Sequence, residues 1–589
     1  MDATHQRWTW PVNLEGYNRH PALTEDEKAA IAYALAHHSS RRAKQRATIL
    51  QRLLQPVLDV LRFLESSQAE QYAPIRVLLR EMDRRGTAYW GWSSEEWAAT
   101  IAPSWDAFWQ RHGGSGPSAR QQVIVMAYLL GHFTAFDRFE RATLQLYQTA
   151  SLIFGSHFHT SLHHVCTVLT EWGYSHPEAR VQLALADVCL ATGSPAIEEL
   201  SLEVLASRHQ LDTSKRMANG LALISRVLAE LKVIQGALPL RPPTTPAPQR
   251  AMAEGIAPEW QEWCSAWYRQ SVLATGTKET YFTYLRKVGV WLWHHHPTIT
   301  NPEQWTYELA LEFASAVTDF KIGDYITLKD TAELIGLGKG LTPRSKDHMF
   351  TVLRRFFTDL QEIPHSVGAA PARRIARHFN PQLVFQTPPS IRRLIGRDPR
   401  VIDDIWWGKI LQATTELTEE DLPCGRNGFK RYPLAMARAL AVTWCYSALR
   451  SDELRRLRVG CIRWQWDDAM LTQGSGQVPA DAVCFLHVPV NKTNTAFWKP
   501  VYALVGRYIT AWEQQHPPQP RALDEKTNEL VDLLFSYRGG GIGTRYLNTV
   551  LIPLLCDKAG LPRADARRAI TSHRARATIA SATKDSHSQ

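Results

Sequence analysis

The chain has 589 residues, 44% hydrophobic and 21% charged, enough for three or four globular domains. No apolar run is long enough to cross a bilayer and the polar start Met1-Asp2-Ala3-Thr4-His5-Gln6-Arg7-Trp8 lacks a secretory h-region, so a cytoplasmic protein without a membrane partner is expected. A net charge of +10 and a pI near 9.1 suit a nucleic-acid partner, because lysines and arginines gain affinity by releasing phosphate counterions.

Residues 1–236 show 3.6-residue apolar spacing in stretches such as 28–36 and 49–54, which predicts a helical N-terminal domain. Its role is not legible. Five prolines between Pro239 and Pro248 cannot continue a helix, so residues 237–256 read as a stiff linker. Residues 257–367 read as a second helical unit. A capped helix is expected from Thr277, and another from Thr342 and Pro343, with Met349, Phe350, Leu353, Phe356, Phe357 and Leu360 on one face. Arg344 and Lys346 decorate the remainder of that second helix.

Residues 368–397 read as a basic linker. Between Gly368 and Arg400 stand seven arginines and one acid, Asp398. Arg373, Arg374, Arg377, Arg392 and Arg393 therefore suit a segment lying along a nucleic-acid backbone, the alternative being a solvated linker. From residue 398 to 589 the pattern is α+β. An almost uninterrupted apolar helix over 433–448 precedes three strand-like segments at 461–466, 482–490 and 497–504. Helices follow around 502–515 and 544–558. The expected fold is mainly helical, with a three-stranded antiparallel sheet in a small α+β C-terminal domain.

Four residues of this last region form an ordered set. Arg450 follows the apolar helix in Ser447-Ala448-Leu449-Arg450-Ser451-Asp452-Glu453. An arginine there is costly to bury without an anion, and either Glu453 or a phosphate would compensate it. Lys492 stands in the turn Asn491-Lys492-Thr493-Asn494, with Lys499 ranked below it. His573 and Arg576 are three apart at the start of a helix. If Thr571 or Ser572 caps that helix, both side chains share one face.

Arg, Lys and His-x-x-Arg in that order resemble the catalytic set of the tyrosine recombinases, the phage-integrase family, of a long mobile-element type. The resemblance covers roughly residues 257–582 and does not reach residues 1–240. It implies that 257–367 is a core-binding domain on DNA and that 398–589 is catalytic. It also implies that Arg450, Lys492, His573 and Arg576 act on a scissile phosphate, with Glu453 orienting the site. Two arginine forks would clamp the non-bridging oxygens, and lysine would protonate the leaving 5′-oxygen, so no metal or cofactor is expected. The partners implied are double-stranded DNA and other copies of the chain in a synapsed tetramer.

The family's nucleophilic tyrosine follows the His-x-x-Arg pair by some 30 residues, whereas no tyrosine follows Arg576 here. The nucleophile is therefore unknown and the chain reads as truncated. Tyr537 and Tyr546 are the last tyrosines, and either could be proposed as a substitute. Two functions follow: site-specific recombination or integration by transesterification, or a catalytically inactive DNA-binding remnant. His159 and His163 are four apart and could share a helix face, but no Glu follows the first in the zinc-hydrolase manner, so no metal site is expected. The eight cysteines contain no Cys-x-x-Cys pair and read as buried, reduced thiols.

Overall fold

The structure is a computed structural model. It describes residues 8–37, 48–113, 117–136, 142–210, 214–238, 255–326, 337–362, 380–395, 401–424, 431–464, 483–490, 495–524, 526–543, 545–565 and 569–586. Residues Met1–Arg241 and Arg400–Gln589 form one compact unit, and Pro242–Pro399 forms another. No described helix is long and apolar enough to cross a membrane.

The regular elements of the N-terminal part of the first unit are helices, with one isolated bridge between Ala22 and Thr87 among its described residues. Its helices are α1 (Glu25–Ala36), α2 (Gln51–Phe63), α3 (Gln68–Arg85), α4 (Ser94–Ile101), α5 (Trp105–His112), α6 (Pro117–Gly131), α7 (Ala142–Phe154), α8 (Ser156–Glu171), α9 (Glu178–Thr192), α10 (Leu202–Gln210) and α11 (Lys215–Glu230). Side chains set their starts: Thr24 with Glu27, and Ser93 with Glu96, form reciprocal capping boxes. One apolar cluster runs from Val12 to Leu228. Within it, Glu81 of α3 has no exposed surface and is held by three arginines. Arg111 grips both its oxygens at 2.9 Å, and Arg84 and Arg85 approach at 2.7 and 2.9 Å. The Glu81 carboxyl is driven up by burial, but these arginines outweigh that and hold it below the usual range.

The second unit contains α12 (Pro258–Gln270), α13 (Thr275–His295), α14 (Tyr307–Asp319), α15 (Pro343–Glu362), α16 (Pro381–Val384) and α17 (Pro389–Leu394) around its own apolar cluster. The expected face of α15 is buried at every named position, and the Thr342 hydroxyl accepts the Ser345 N–H at 3.2 Å. The cap expected at Thr277 is not the observed one. Thr277 N–H and Lys278 N–H both bond to the Ala274 carbonyl, so the helix starts earlier, without a side-chain cap. Part of the expected basic linker is folded: Val384, Phe385 and Ile391 are buried in this cluster, carried by α16, α17 and the turn between them.

The C-terminal part of the first unit holds α18 (Asp404–Glu416), α19 (Leu434–Ser447) and α20 (Ser451–Arg455), then the strands β1 (Ile462–Trp464), β2 (Val483–Val488) and β3 (Phe497–Tyr502). These strands pair antiparallel in the order β1-β2-β3, with Arg463 opposite Phe485 and Phe485 opposite Pro500. The mainly helical fold with a small three-stranded antiparallel sheet is as expected. Next come α21 (Ala503–Gln515), the hairpin of β4 (Ala522–Asp524) and β5 (Glu529–Val531), and the hairpin of β6 (Ser536–Tyr537) and β7 (Gly540–Gly541). A π-helical turn over Leu547–Leu551 leads into α22 (Ile552–Lys558), and α23 spans Ser572–Ser586. A third apolar cluster, from Ile402 to Ala575, surrounds α19, whose Trp444 and Cys445 are fully buried.

The two parts of the first unit meet at the β6–β7 hairpin. Arg538 N–H donates to the Trp172 carbonyl at 3.0 Å, Arg538 Nε to the Gly173 carbonyl at 3.0 Å, and Tyr174 Oη to the Arg538 carbonyl at 2.6 Å. Gly173 takes a φ of +94°, and a Cβ there would lie 2.5 Å from the Tyr537 ring. Only glycine allows this approach. Of the eight cysteines, six are buried, Cys166 is half-buried and Cys424 is exposed; all are free.

Candidate active site

The site is built on the end of α19. The helix stops because Ala448 adopts a left-handed φ of +52°, which turns the chain at Leu449. Arg450 then occupies the N-cap of α20. Glu453, three residues on, accepts the Arg450 backbone N–H at 2.8 Å and pairs with its guanidinium at 2.6 Å. Glu453 is buried while the Arg450 side chain keeps about a third of its surface. The acid thus holds the arginine and leaves part of it open.

Lys499 comes from β3. Strand alternation sends it to the same side as the buried Val501, and its ammonium donates to the Ser447 carbonyl at 2.6 Å, a favourable position at the C-terminus of α19. Burial lowers its pKa from the ordinary lysine value, repulsion from Arg576 lowers it further, and Glu453 opposes both. Lys499 is therefore in electrostatic reach of the acid that holds Arg450 and of the second arginine.

Arg576 and His573 are exposed on one side of α23, while Arg574, Ala575 and Thr578 are buried on the other. The buried side fixes the helix. Arg574 pairs with Asp565 through both guanidinium nitrogens and donates to the Val401 carbonyl at 3.1 Å. Thr578 Oγ1 accepts the Ile402 N–H at 2.9 Å. Trp444 Nε1 donates to the Ser572 carbonyl at 3.4 Å, which ties α23 to α19. The expected cap from the Ser572 hydroxyl is not made: that oxygen is buried and without a partner among the described residues. The Ser572 N–H is satisfied instead by Asn548 Oδ1, at 2.8 Å, from the π-helical turn. Among the described residues neither His573 nor Arg576 has a hydrogen-bond or ion-pair partner.

Lys492 lies outside the described residues, as do Arg373, Arg374 and Arg377. The strand before the Lys492 turn is nevertheless anchored. Arg456, the C-cap of α20, donates to the Val490 carbonyl and grips Asp524 at 3.0 and 2.8 Å. The Asp524 side chain is fully buried. One short helix thus positions Arg450 at its start and the end of β2 at its other end. In the second unit, Arg392 and Arg393 are exposed on α17 and Arg344 is exposed on α15, while Lys346 donates to the Thr318 carbonyl. His159 and His163 line an open cavity of about 670 Å³ with Cys166, His176 and Glu178, and no metal-holding group of side chains occurs among the described residues.

Sequence reasoning missed Asn548 and Asp524, and it did not foresee that Lys499 meets the end of α19. Alternation with Val501 was the available signal for Lys499. Nothing local marks Asn548, because its partner lies 24 residues on.

No family model matches the chain, and no curated protein does. Among solved structures, the XerH site-specific recombinase bound to difH substrate in a pre-cleavage complex is similar at 13% identity and a TM-score of 0.35, covering 60% of this chain and 90% of that one. The XerH post-cleavage complex with palindromic difH substrate is similar at 13% identity and a TM-score of 0.34, covering 57% and 81%. Scores this low decide neither fold nor function.

Proposed function

We propose that the chain is a site-specific DNA recombinase of the tyrosine type, acting on duplex DNA as a synapsed tetramer. The observation that carries this reading is Lys499 of β3 held at the Ser447 carbonyl, three residues before the Arg450–Glu453 pair, with Arg576 of α23 close enough to lower its proton affinity, so that three cations adjoin one paired acid. Such a surplus suits an anion with two non-bridging oxygens. Arg450 and Arg576 would neutralise them as the pentacoordinate state forms, with His573 beside Arg576. A lysine would protonate the leaving 5′-oxygen. Lys492 holds that role by resemblance, and the lowered proton affinity of Lys499 makes it the second candidate.

A second reading is a DNA-binding protein that cleaves nothing. The structural occupation of both candidate tyrosines favours it. Tyr537 Oη donates to the Gly173 carbonyl at 3.2 Å. Tyr546 is buried against Tyr432 and Arg431, and burial pushes its pKa up to about 12.

Selection from random duplexes, followed by a nicked version of the selected site on a denaturing gel, separates the readings. A covalent adduct that Arg450→Ala or Arg576→Ala removes supports recombination. Salt-sensitive duplex binding without an adduct supports the second reading, and here Arg392→Ala with Arg393→Ala lowers the salt slope by up to about 2. Absence of duplex binding sinks both.

A further inference from the structure

The three-stranded sheet has a second face that the site does not use. On β2, Cys484, Leu486 and Val488 point into the core, so Phe485 and His487 point away. On β3, Val501 is buried while Trp498, Pro500 and Tyr502 are exposed, and on β1 Arg463 is exposed. Pairing puts these residues side by side: Arg463 opposite Phe485, Phe485 opposite Pro500, and His487 opposite Trp498.

The result is a shelf of aromatic rings with a cation over it. Trp498 retains 45% of its surface and Tyr502 68%. The Arg463 guanidinium lies 5.7 Å from the Trp498 ring centre and 5.9 Å from that of Phe485. The His487 ring is 4.9 Å from Trp498. None of the three strands contains an acidic residue. Exposed rings of this size on a flat strand surface are costly in water unless something covers them.

We propose that this outer face binds unpaired nucleotides of single-stranded nucleic acid. Every base has a ring face that stacks on an aromatic side chain, and the cation matches the adjoining phosphates. Duplex DNA keeps its base faces inside the stack and cannot use such a shelf. Trp498 and Tyr502 are four residues apart, about 13 Å at strand rise, so each receives a different base. Charge complementarity favours this occupant over a protein: an aliphatic partner would gain nothing from Arg463 and His487 in the middle of the patch. The proposal stands apart from recombination, whose candidate cations Arg450, Lys499 and Arg576 are not on this outer face.

The test uses the full chain with a short fluorescein-labelled oligothymidine, read by anisotropy, beside a duplex control. Trp498→Ala and Tyr502→Ala are each expected to weaken single-strand binding by about 5- to 100-fold, and Trp498→Phe to retain most of it. An unchanged urea midpoint shows that the fold is intact. Single-strand binding without duplex binding upholds this proposal and removes the recombinase reading, while duplex binding that Trp498→Ala leaves unaltered is expected if both stand. The proposal is overturned if oligothymidine does not bind or if Trp498→Ala binds it like the parent. Self-association that Trp498→Ala abolishes, with no oligothymidine binding, would make the face an interface between copies.

Discussion

The Glu81 cluster and the Arg450 site are both made of arginines around one carboxylate, yet they are opposites in what remains unsatisfied. Around Glu81 the acid is completely buried, and Arg111 is bound to it through both forks. The charges there face one another. At the Arg450 site Glu453 serves one arginine, while Arg576 and His573 have no hydrogen-bond or ion-pair partner among the described residues. In the Glu81 cluster every arginine is paired with the acid. At the Arg450 site the charge of Arg576 is left unpaired among the described residues, and its helix is held from behind through Arg574, Thr578 and Asn548.

The contrast is broken most sharply by removing one residue from each. Glu81→Gln leaves three arginines around a neutral group and is expected to cost about 3 kcal/mol, read from urea unfolding. Because the Glu81 pKa is lowered in the folded state, this stabilisation is present above its usual 4.5 and lost as pH falls through the folded value. Arg576→Ala removes an exposed side chain that has no ion-pair partner among the described residues and is expected to change stability by no more than about 0.5 kcal/mol while removing any adduct. Equal costs in the two variants would dissolve the distinction.

A second comparison concerns the join between the two parts of the first unit. Gly173→Ala demands a positive φ from alanine and drives its Cβ into Tyr537, so a loss of about 1–3 kcal/mol is expected. Cleavage of the β6–β7 hairpin by a protease should quicken with it. An unchanged urea midpoint would show that the hairpin does not depend on this contact.

The smallest effect is a titration. Lys499 has its pKa lowered by burial and then by Arg576. Between the lowered value and the usual 10.5 the unfolded chain binds more protons, so stability rises with pH through that window. Arg576→Ala removes the repulsion and is expected to raise the Lys499 midpoint, followed by NMR of the reductively methylated amine. A midpoint that stays put would separate Arg576 from Lys499 and weaken the site.

Much of this was legible in local pattern. The apolar stripe of α15 and the alternation of β2 name their own buried faces, because a helix or strand with one apolar side has one way to bury it. Arg450 and Glu453 were legible as a pair because a capping acid acts within four residues. The cap of α23 was not, since Asn548 reaches Ser572 across a loop and replaces the expected local hydroxyl. The hairpins β4–β5 and β6–β7 escaped as well. They are two or three residues per strand, too short for a period to appear.

The sequence by itself determined the longer helices and the three strands of the main sheet, the buried face of α15, and the order of arginine, lysine and His-x-x-Arg that suggests phosphate chemistry. Periodicity and capping are short-range, so the chain carries them in every window. Only the tertiary structure decided that Lys499 meets the end of α19, that Arg456 and Asp524 anchor the end of β2, and that Trp172 to Tyr174 receive a hairpin more than 360 residues away. These contacts join groups whose hydrogen-bonding needs could be met by many partners. Which partner each one finds is set by the packing of the whole unit around α19 and not by its neighbours in the chain.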